Sequence, residues 1–109
     1  MDAIFDQSQD QTGHEIHRIT NLYDPPAFVK DASYDSICGD VKTLPIHVYA
    51  DPRSRKYPCH TASATWMSAA FFADKQASHQ ETAIDFIKDR VHKAADFFGI
   101  RPAVDDLFK

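Results

Sequence analysis

Residues 61–75, TASATWMSAAFFADK, and residues 78–100, SHQETAIDFIKDRVHKAADFFGI, carry the strongest secondary-structure signals in the chain. In the first segment Thr61 can cap a helix, because its hydroxyl can accept a hydrogen bond from a backbone amide that has no helical partner. One helical face of this segment consists of Trp66, Met67, Ala70, Phe71 and Asp74. All but Asp74 are apolar, so the pattern predicts a helix over residues 62–75 that turns this face to a core.

The second segment has both a start signal and a stop signal. Ser78 and Glu81 have the spacing of a capping box, in which each side chain pairs with the backbone amide of the other residue. Gly99 stands where a left-handed helix end is favoured, and Ile100 can fold back as its hydrophobic contact. After this end, Pro102 can begin a short last helical turn through Leu107. The helical stripe between the two signals is formed by Ile84, Ile87, Val91, Ala94, Ala95 and Phe98.

Only a few residues, around positions 76 and 77, join the two predicted helices, so we expect them to be antiparallel neighbours. Their facing side chains form the predicted core, which consists of Trp66, Met67, Phe71, Ile84, Ile87, Val91 and Phe98. The expected fold is therefore mainly α with a minor β component. It comprises a C-terminal antiparallel helical hairpin, a short β-hairpin-like element and an extended N-terminal arm.

The β component is expected just before the helical hairpin. Residues 44–49, LPIHVY, alternate apolar side chains and are rich in β-formers, which predicts an edge strand that tolerates Pro45. Residues 51–54 have the composition of a turn. A very short return segment over residues 57–59 would then complete a small hairpin-like element beside the helices.

Three regions are predicted along the chain. Residues 1–20 are polar and poor in apolar side chains, so we expect a flexible or partner-ordered arm. Residues 21–43 are expected to form an irregular linker that contains Pro25 and Pro26 and has room for one short helix. Residues 44–109 are expected to form a small helical-hairpin domain.

Composition excludes several classes of protein. The chain has 109 residues, which favours one domain, and its 43% hydrophobic content is typical of a globular protein. Its 12 Lys+Arg and 16 Asp+Glu give a net charge of −4, which disfavours a general nucleic-acid coat. No apolar run approaches the roughly 18 residues needed to cross a bilayer. The acidic, polar residues 1–11 do not have the pattern of a targeting signal.

Signs of catalysis are weak. The chain has no glycine-flanked serine and, with three glycines, no phosphate-binding loop. Cys38, His47, Cys59 and His60 could in principle form a zinc site, but no two cysteines have the usual short spacing. His14 and His17 are three residues apart, whereas a zinc-protease helix needs four. We therefore expect no cofactor, no metal and no catalytic residue, and reduced thiols at both cysteines.

Candidate interaction residues fall into two groups. Arg53, Arg55 and Lys56 form a basic cluster that could hold a phosphate or an acidic patch of a partner. Aromatic and proline residues in segments without clear periodicity could instead be buried against a partner. They are Phe5, Tyr23, Pro25, Pro26 and Phe28.

A known module is similar to part of this chain. The similar part begins with Lys56-Tyr57-Pro58-Cys59-His60-Thr61, which leads into an alanine-rich helix, Ala62 to Phe72, and it continues with a second helix that ends Ala94-Ala95-Asp96-Phe97-Phe98-Gly99-Ile100. This module occurs in head-associated proteins of tailed bacteriophages. It has a lysine-aromatic/aliphatic-Pro-Ile start and an Ala-x-x-Phe-Gly-Ile end. The resemblance covers about residues 55–100, and Cys59 stands where the module usually has Ile.

The resemblance implies a structural virion or head-assembly protein that acts through protein–protein contacts, and it transfers no catalytic residue. The implied partners are capsid or other head components, self-association is compatible with it, and no membrane is involved. The implied location is the virion, and the host cytoplasm during assembly. Two alternatives stay open: a regulator that binds nucleic acid or a partner through Arg53, Arg55 and Lys56, and a thiol or metal site at Cys59 and His60.

Overall fold

The computed structural model describes residues 7, 13–38, 44–76 and 79–108. The described residues form six α-helices and one two-stranded antiparallel sheet, and a 3-10 turn, Ile46–Val48, leads into the sheet. The elements are α1 His14–Tyr23, α2 Ala27–Lys30, α3 Tyr34–Cys38, β1 Tyr49–Asp51, β2 Lys56–Pro58, α4 Ala62–Lys75, α5 Glu81–Phe98 and α6 Arg101–Leu107. The prediction of a mainly helical fold with a small β component is confirmed.

Helix α4 lies at the centre of the molecule. Each of the other helices packs against it, and so does β2. Residues 63–72 of α4 are all buried, although the sequence predicts only one apolar face. Small side chains at Ala64, Ser68 and Ala69 let neighbouring elements approach on the other sides, and a helix that is apolar all round is a buried one.

Helix α5 is amphipathic and packs against α4 in the predicted hairpin. Of the predicted core residues, five are almost completely buried: Trp66, Met67, Phe71, Ile87 and Val91. The other two, Ile84 and Phe98, are partly buried and pack against that cluster. The predicted core residues therefore belong to one cluster or pack against it, but Trp66 and Met67 also face the N-terminal segments, where each lines a cavity together with Pro25.

The ends of the two helices largely follow the sequence signals. The Thr61 hydroxyl accepts a hydrogen bond from the amide of Ala64 at 3.0 Å. Gly99 has a φ of +73°, and the amide of Ile100 donates to the carbonyl of Ala95 at 2.9 Å. These contacts confirm the predicted caps.

The start of α5 differs from the prediction. The helix begins at Glu81 with Gln80 in the capping position, and the Gln80 side chain makes no capping hydrogen bond. Ser78 lies outside the described residues and two positions before this cap. The predicted pairing of Ser78 with Glu81 stays a prediction, while the capping position itself is Gln80 rather than Ser78.

The segment before the sheet also corrects the sequence analysis. The predicted strand over residues 44–49 was wrong, because residues 46–48 form a 3-10 turn and only Tyr49–Asp51 is extended. Pro45 fixes its own φ at −60°, and its carbonyl accepts a hydrogen bond from the amide of Val48 at 3.1 Å. The strands pair in the register Tyr49 with Pro58 and Asp51 with Lys56, so the hairpin-like element itself is present.

Residues near the N-terminus, for which the sequence predicts an arm, pack against α4. Ile19 of α1 is completely buried, and Arg18 of the same helix pairs with Asp74 of α4 at 2.9 Å. Gln7 is also buried, and its side-chain amide donates to the carbonyl of Ala64 at 3.1 Å. The folded unit thus includes residues 13–20, and the rest of the predicted arm, residues 1–6 and 8–12, lies outside the described residues.

In the predicted linker, residues 21–43, the end of α1 is followed by two short helices, α2 and α3, rather than by one. Residues 39–43 lie outside the described residues. Within the described ranges, no helix has the length and apolar character needed to cross a membrane.

Candidate functional site

A groove of about 570 Å³ lies between α5 and the segment that leads into β1, and we call it the α5 groove. Its apolar lining residues are Val48, Ala50, Ala94, Phe97 and Phe98, and Tyr49, which is completely buried, also borders it. Its polar side chains are His47, Cys59, His60, Arg90 and Lys93. Its volume is in the range of about 300–1,000 Å³ that is typical of ligand sites in proteins.

Arg90 fixes one wall of the α5 groove. Its Nε donates to the carbonyl of Tyr49 at 3.1 Å, and its Nη2 donates to the same carbonyl at 2.9 Å and to that of His47 at 2.6 Å. A planar guanidinium can hold several acceptors at once because its N–H groups have a fixed geometry. Arg90 therefore ties the 3-10 turn and β1 to the middle of α5.

Exposed apolar side chains surround this site. Phe97 is 83% exposed, and its ring lies edge-on to that of Phe98 with 5.0 Å between the ring centroids. Ile46, next to the groove residue His47, is 51% exposed. Phe86 is also 51% exposed and lies about three helical turns before Phe97, so both side chains leave α5 on the same side.

Sequence reasoning missed these residues, although a signal for two of them was present. Phe97 stands next to Phe98, and Phe86 stands next to Ile87. Neighbouring residues on a helix are about 100° apart, so a single apolar stripe cannot bury both members of such a pair. The member outside the stripe is exposed. Ile46 had no such signal, because its exposure follows from the unexpected 3-10 turn.

The Cys59 thiol is in a state that does not favour nucleophilic chemistry. Burial raises its pKa to about 12, so the group is protonated at neutral pH, whereas the thiolate is the nucleophilic form. Its Sγ lies 3.4 Å from the carbonyl oxygen of Tyr57. Cys38 and Cys59 are both free thiols and do not form a disulfide. In the part of the chain that the structure describes, no three His, Cys, Asp or Glu residues cluster as metal ligands would.

The basic cluster lies on the β hairpin. Arg53 and Arg55 are exposed in the turn, and Lys56 begins β2. The Arg55 guanidinium is 3.5 Å from the carbonyl of Leu44 and 5.9 Å from the centroid of the Tyr49 ring. Arg55 thus also has a structural role in holding the segment before the sheet.

The aromatic and proline candidates near the N-terminus are mostly engaged within the chain. Pro25 is buried, Pro26 is half-buried, and Tyr23 is half-buried against the core. Phe28 is the most exposed of them, at 36%. Phe5 lies outside the described residues. Among the described residues, the cavity that Arg53 lines is separate from the two that Tyr23, Pro25 and Pro26 line.

Two histidines contact aromatic rings. Nε2 of His79 is 2.8 Å from the buried Tyr57 hydroxyl, and burial lowers the pKa of His79. His92 is partly covered by the end of α6, with 5.4 Å between its ring centroid and that of Phe108. Desolvation, followed by the charge of Arg101, lowers the pKa of His92. The predicted short helical turn through Leu107 is present as α6, but the sequence pattern does not show that its end packs against His92.

Comparisons of the chain with protein-family models, with curated proteins and with solved structures gave no significant match.

Proposed function

We propose that this protein is a non-catalytic, structural interaction module of tailed-bacteriophage head assembly that docks on a capsid or other head protein through the α5 groove. The phage assignment rests on the sequence resemblance over residues 55–100. The docking role rests on the surface around the groove.

The observation that carries the proposal is the exposure of Phe97 at the edge of an apolar recess. Single exposed apolar residues are common on protein surfaces. Here, however, Phe97 is 83% exposed beside a groove whose surface is mostly apolar. Aromatic side chains beside apolar recesses are frequent anchors of protein interfaces.

The chemistry of the groove supports binding over catalysis. Arg90 donates to backbone carbonyls, Lys93 pairs with Asp89 at 3.0 Å, and the Cys59 thiol is protonated. The residues behind the phage-like motif serve the fold: Thr61 caps α4, and Gly99 ends α5. These residues build a rigid support for the groove, which suits a docking component.

Co-sedimentation with purified phage heads tests the proposal. The Phe97→Gln variant should bind heads or their assembly precursors at least about tenfold more weakly than the wild type, since a central aromatic anchor contributes about 2 kcal/mol or more. Gln keeps helix propensity, and the side chain is exposed, so folding should be unaffected.

The matched control is Leu22→Gln, which removes a 58% exposed apolar side chain from α1, outside the α5 groove. It should bind heads like the wild type. Absence of head binding by the wild type, or equal binding by Phe97→Gln, would overturn the proposal.

A further inference from the structure

The α5 groove has a charge opposite to that of the whole chain. The protein carries a net charge of −4, with 16 Asp+Glu in 109 residues. Among the described residues that line the groove, none is Asp or Glu, whereas Arg90 and Lys93 are cationic and His47 and His60 can donate hydrogen bonds. The chain therefore keeps carboxylates out of the lining of its apolar docking site.

The two cationic groups remain available to a ligand in different ways. The Arg90 guanidinium donates to the carbonyls of His47 and Tyr49, which carry no net charge, so its positive charge is not neutralised there. The Lys93 ammonium lies 3.0 Å from Asp89, but both side chains are largely exposed, at 76% and 63%. Exposed pairs of this kind contribute at most about 1 kcal/mol, so a ligand carboxylate can compete for Lys93.

A ligand that fills the whole groove needs an apolar anchor as well as negative charge. Ala94, Phe97 and Phe98 follow Lys93 along α5, and Val48 and Ala50 face them from the other wall. A purely acidic ligand would leave this surface in water. An apolar ligand without acidic groups would gain nothing from the cations.

We propose that the occupant of the α5 groove is an acidic segment of the partner protein, an inference that rests on the proposed function. Its aromatic or aliphatic anchor lies among Ala94, Phe97 and Phe98, and its flanking Asp or Glu side chains face Arg90 and Lys93. A symmetric contact between the grooves of two copies is disfavoured, because it would bring like charges together. A nucleic-acid strand is disfavoured by the net charge of −4.

Amide chemical shifts of the ¹⁵N-labelled full chain can test this proposal with four probes. Three are hexapeptides, DEFLDE, NQFLNQ and KKFLKK, and the fourth is a ten-nucleotide oligothymidine. The acidic peptide should shift the amides of Ala50, His60 and Ala94 and bind at least tenfold more tightly than the neutral one. Raising the salt from about 50 to 200 mM should weaken it several-fold, because the Debye length shortens.

Charge reversal at Lys93 supplies the second part of the test. Lys93→Glu should weaken DEFLDE binding about tenfold and leave NQFLNQ binding unchanged. Lys30→Glu changes the net charge equally at an exposed position of α2, outside the groove, and should bind both peptides like the wild type. Phe97→Gln should weaken both peptides.

Each other outcome has a defined meaning. Equal binding of the acidic and neutral peptides, stronger binding of the basic peptide, or groove shifts with the oligonucleotide would overturn the acidic-segment proposal. So would a dimer at micromolar concentration that Phe97→Gln dissociates. If no peptide shifts the groove amides while heads still bind in a Phe97-dependent way, the acidic segment is wrong and the docking function stands; if head binding also fails, both are wrong.

Discussion

At the scale of single residues, the backbone of Tyr57 depends on the contacts of its own side chain. Tyr57 has a φ of +63°, which is strained for an aromatic residue. The surroundings stabilise it: the side chain is completely buried, its hydroxyl is 2.8 Å from Nε2 of His79, and its ring lies edge-on to Phe72 with 5.7 Å between the centroids. His79 therefore helps to hold a strained residue at the base of the hairpin.

The Tyr57–His79 contact predicts a pH-dependent stability. Burial lowers the pKa of His79 below its ordinary 6.5, so the unfolded chain binds a proton more readily than the folded chain. The contribution of His79 is fully present above about pH 6.5 and is lost as the pH falls toward the lowered pKa. The free energy of unfolding, measured by urea denaturation, should thus decrease from pH 7.5 to pH 5.5.

The variant His79→Gln should flatten this dependence, while the same change at the exposed His17 is the control and should leave it in place. The slope that remains in His79→Gln should come largely from His92, whose pKa is also lowered. An unchanged slope in His79→Gln would show that His79 does not carry the effect.

At the scale of elements, the Arg90 contacts make α5 and the β hairpin one unit. The variant Arg90→Lys keeps the charge but cannot reproduce hydrogen bonds to two carbonyls from one planar group. We expect it to lower the free energy of unfolding by about 1–3 kcal/mol, measured by urea denaturation. Arg53→Lys, at an exposed turn position, should change stability by less than about 0.5 kcal/mol. Wild-type stability of Arg90→Lys would contradict the proposed structural role.

Local signals explain which elements could be predicted. Helix α4 occupies the predicted range, residues 62–75. Its start could be predicted because the capping residue, Thr61, and the amide that it accepts from, that of Ala64, are only three positions apart. Helix α5 ends as predicted because Gly99 adopts the left-handed conformation. The sequence did not predict the 3-10 turn over residues 46–48. An alternation of apolar and polar side chains is typical of a strand, but it does not exclude a short 3-10 turn.

Contacts between distant segments could not be predicted in the same way. Asp74 interrupts an apolar face of α4, and its partner, Arg18, lies 56 residues earlier in the chain. Nothing local in the sequence links the two residues, so the sequence predicts an arm over residues 1–20, where most of α1 lies. The exposed position of Phe97 was detectable from its neighbour Phe98, but its place beside a groove depends on Arg90 holding the 3-10 turn.

At the scale of the whole molecule, the packing of α1 predicts the proteolysis pattern. A flexible arm would be cut early after Arg18 by trypsin. In the structure Arg18 pairs with Glu15 at 2.8 Å and with Asp74 at 2.9 Å, and the next residue, Ile19, is completely buried. Cleavage after Arg18 should therefore be slow under native conditions and fast in urea, as read by mass spectrometry.

Arg53 provides an internal reference for this digestion, because it is exposed in the hairpin turn and should be cut before Arg18. Cleavage after Arg18 at the same rate as after Arg53 would show that α1 opens readily. That result would support the sequence-based prediction that residues 13–20 belong to a flexible arm.

The central position of α4 also bears on how such a protein can diversify. Substitutions in a helix against which all the other described helices pack are constrained from every side, whereas Phe86, Lys93 and Phe97 of α5 are largely exposed. Phe86, Lys93 and Phe97 could thus be exchanged during divergence at little cost to the scaffold. Descendants of one ancestor could in this way acquire different partners while their architecture stays the same.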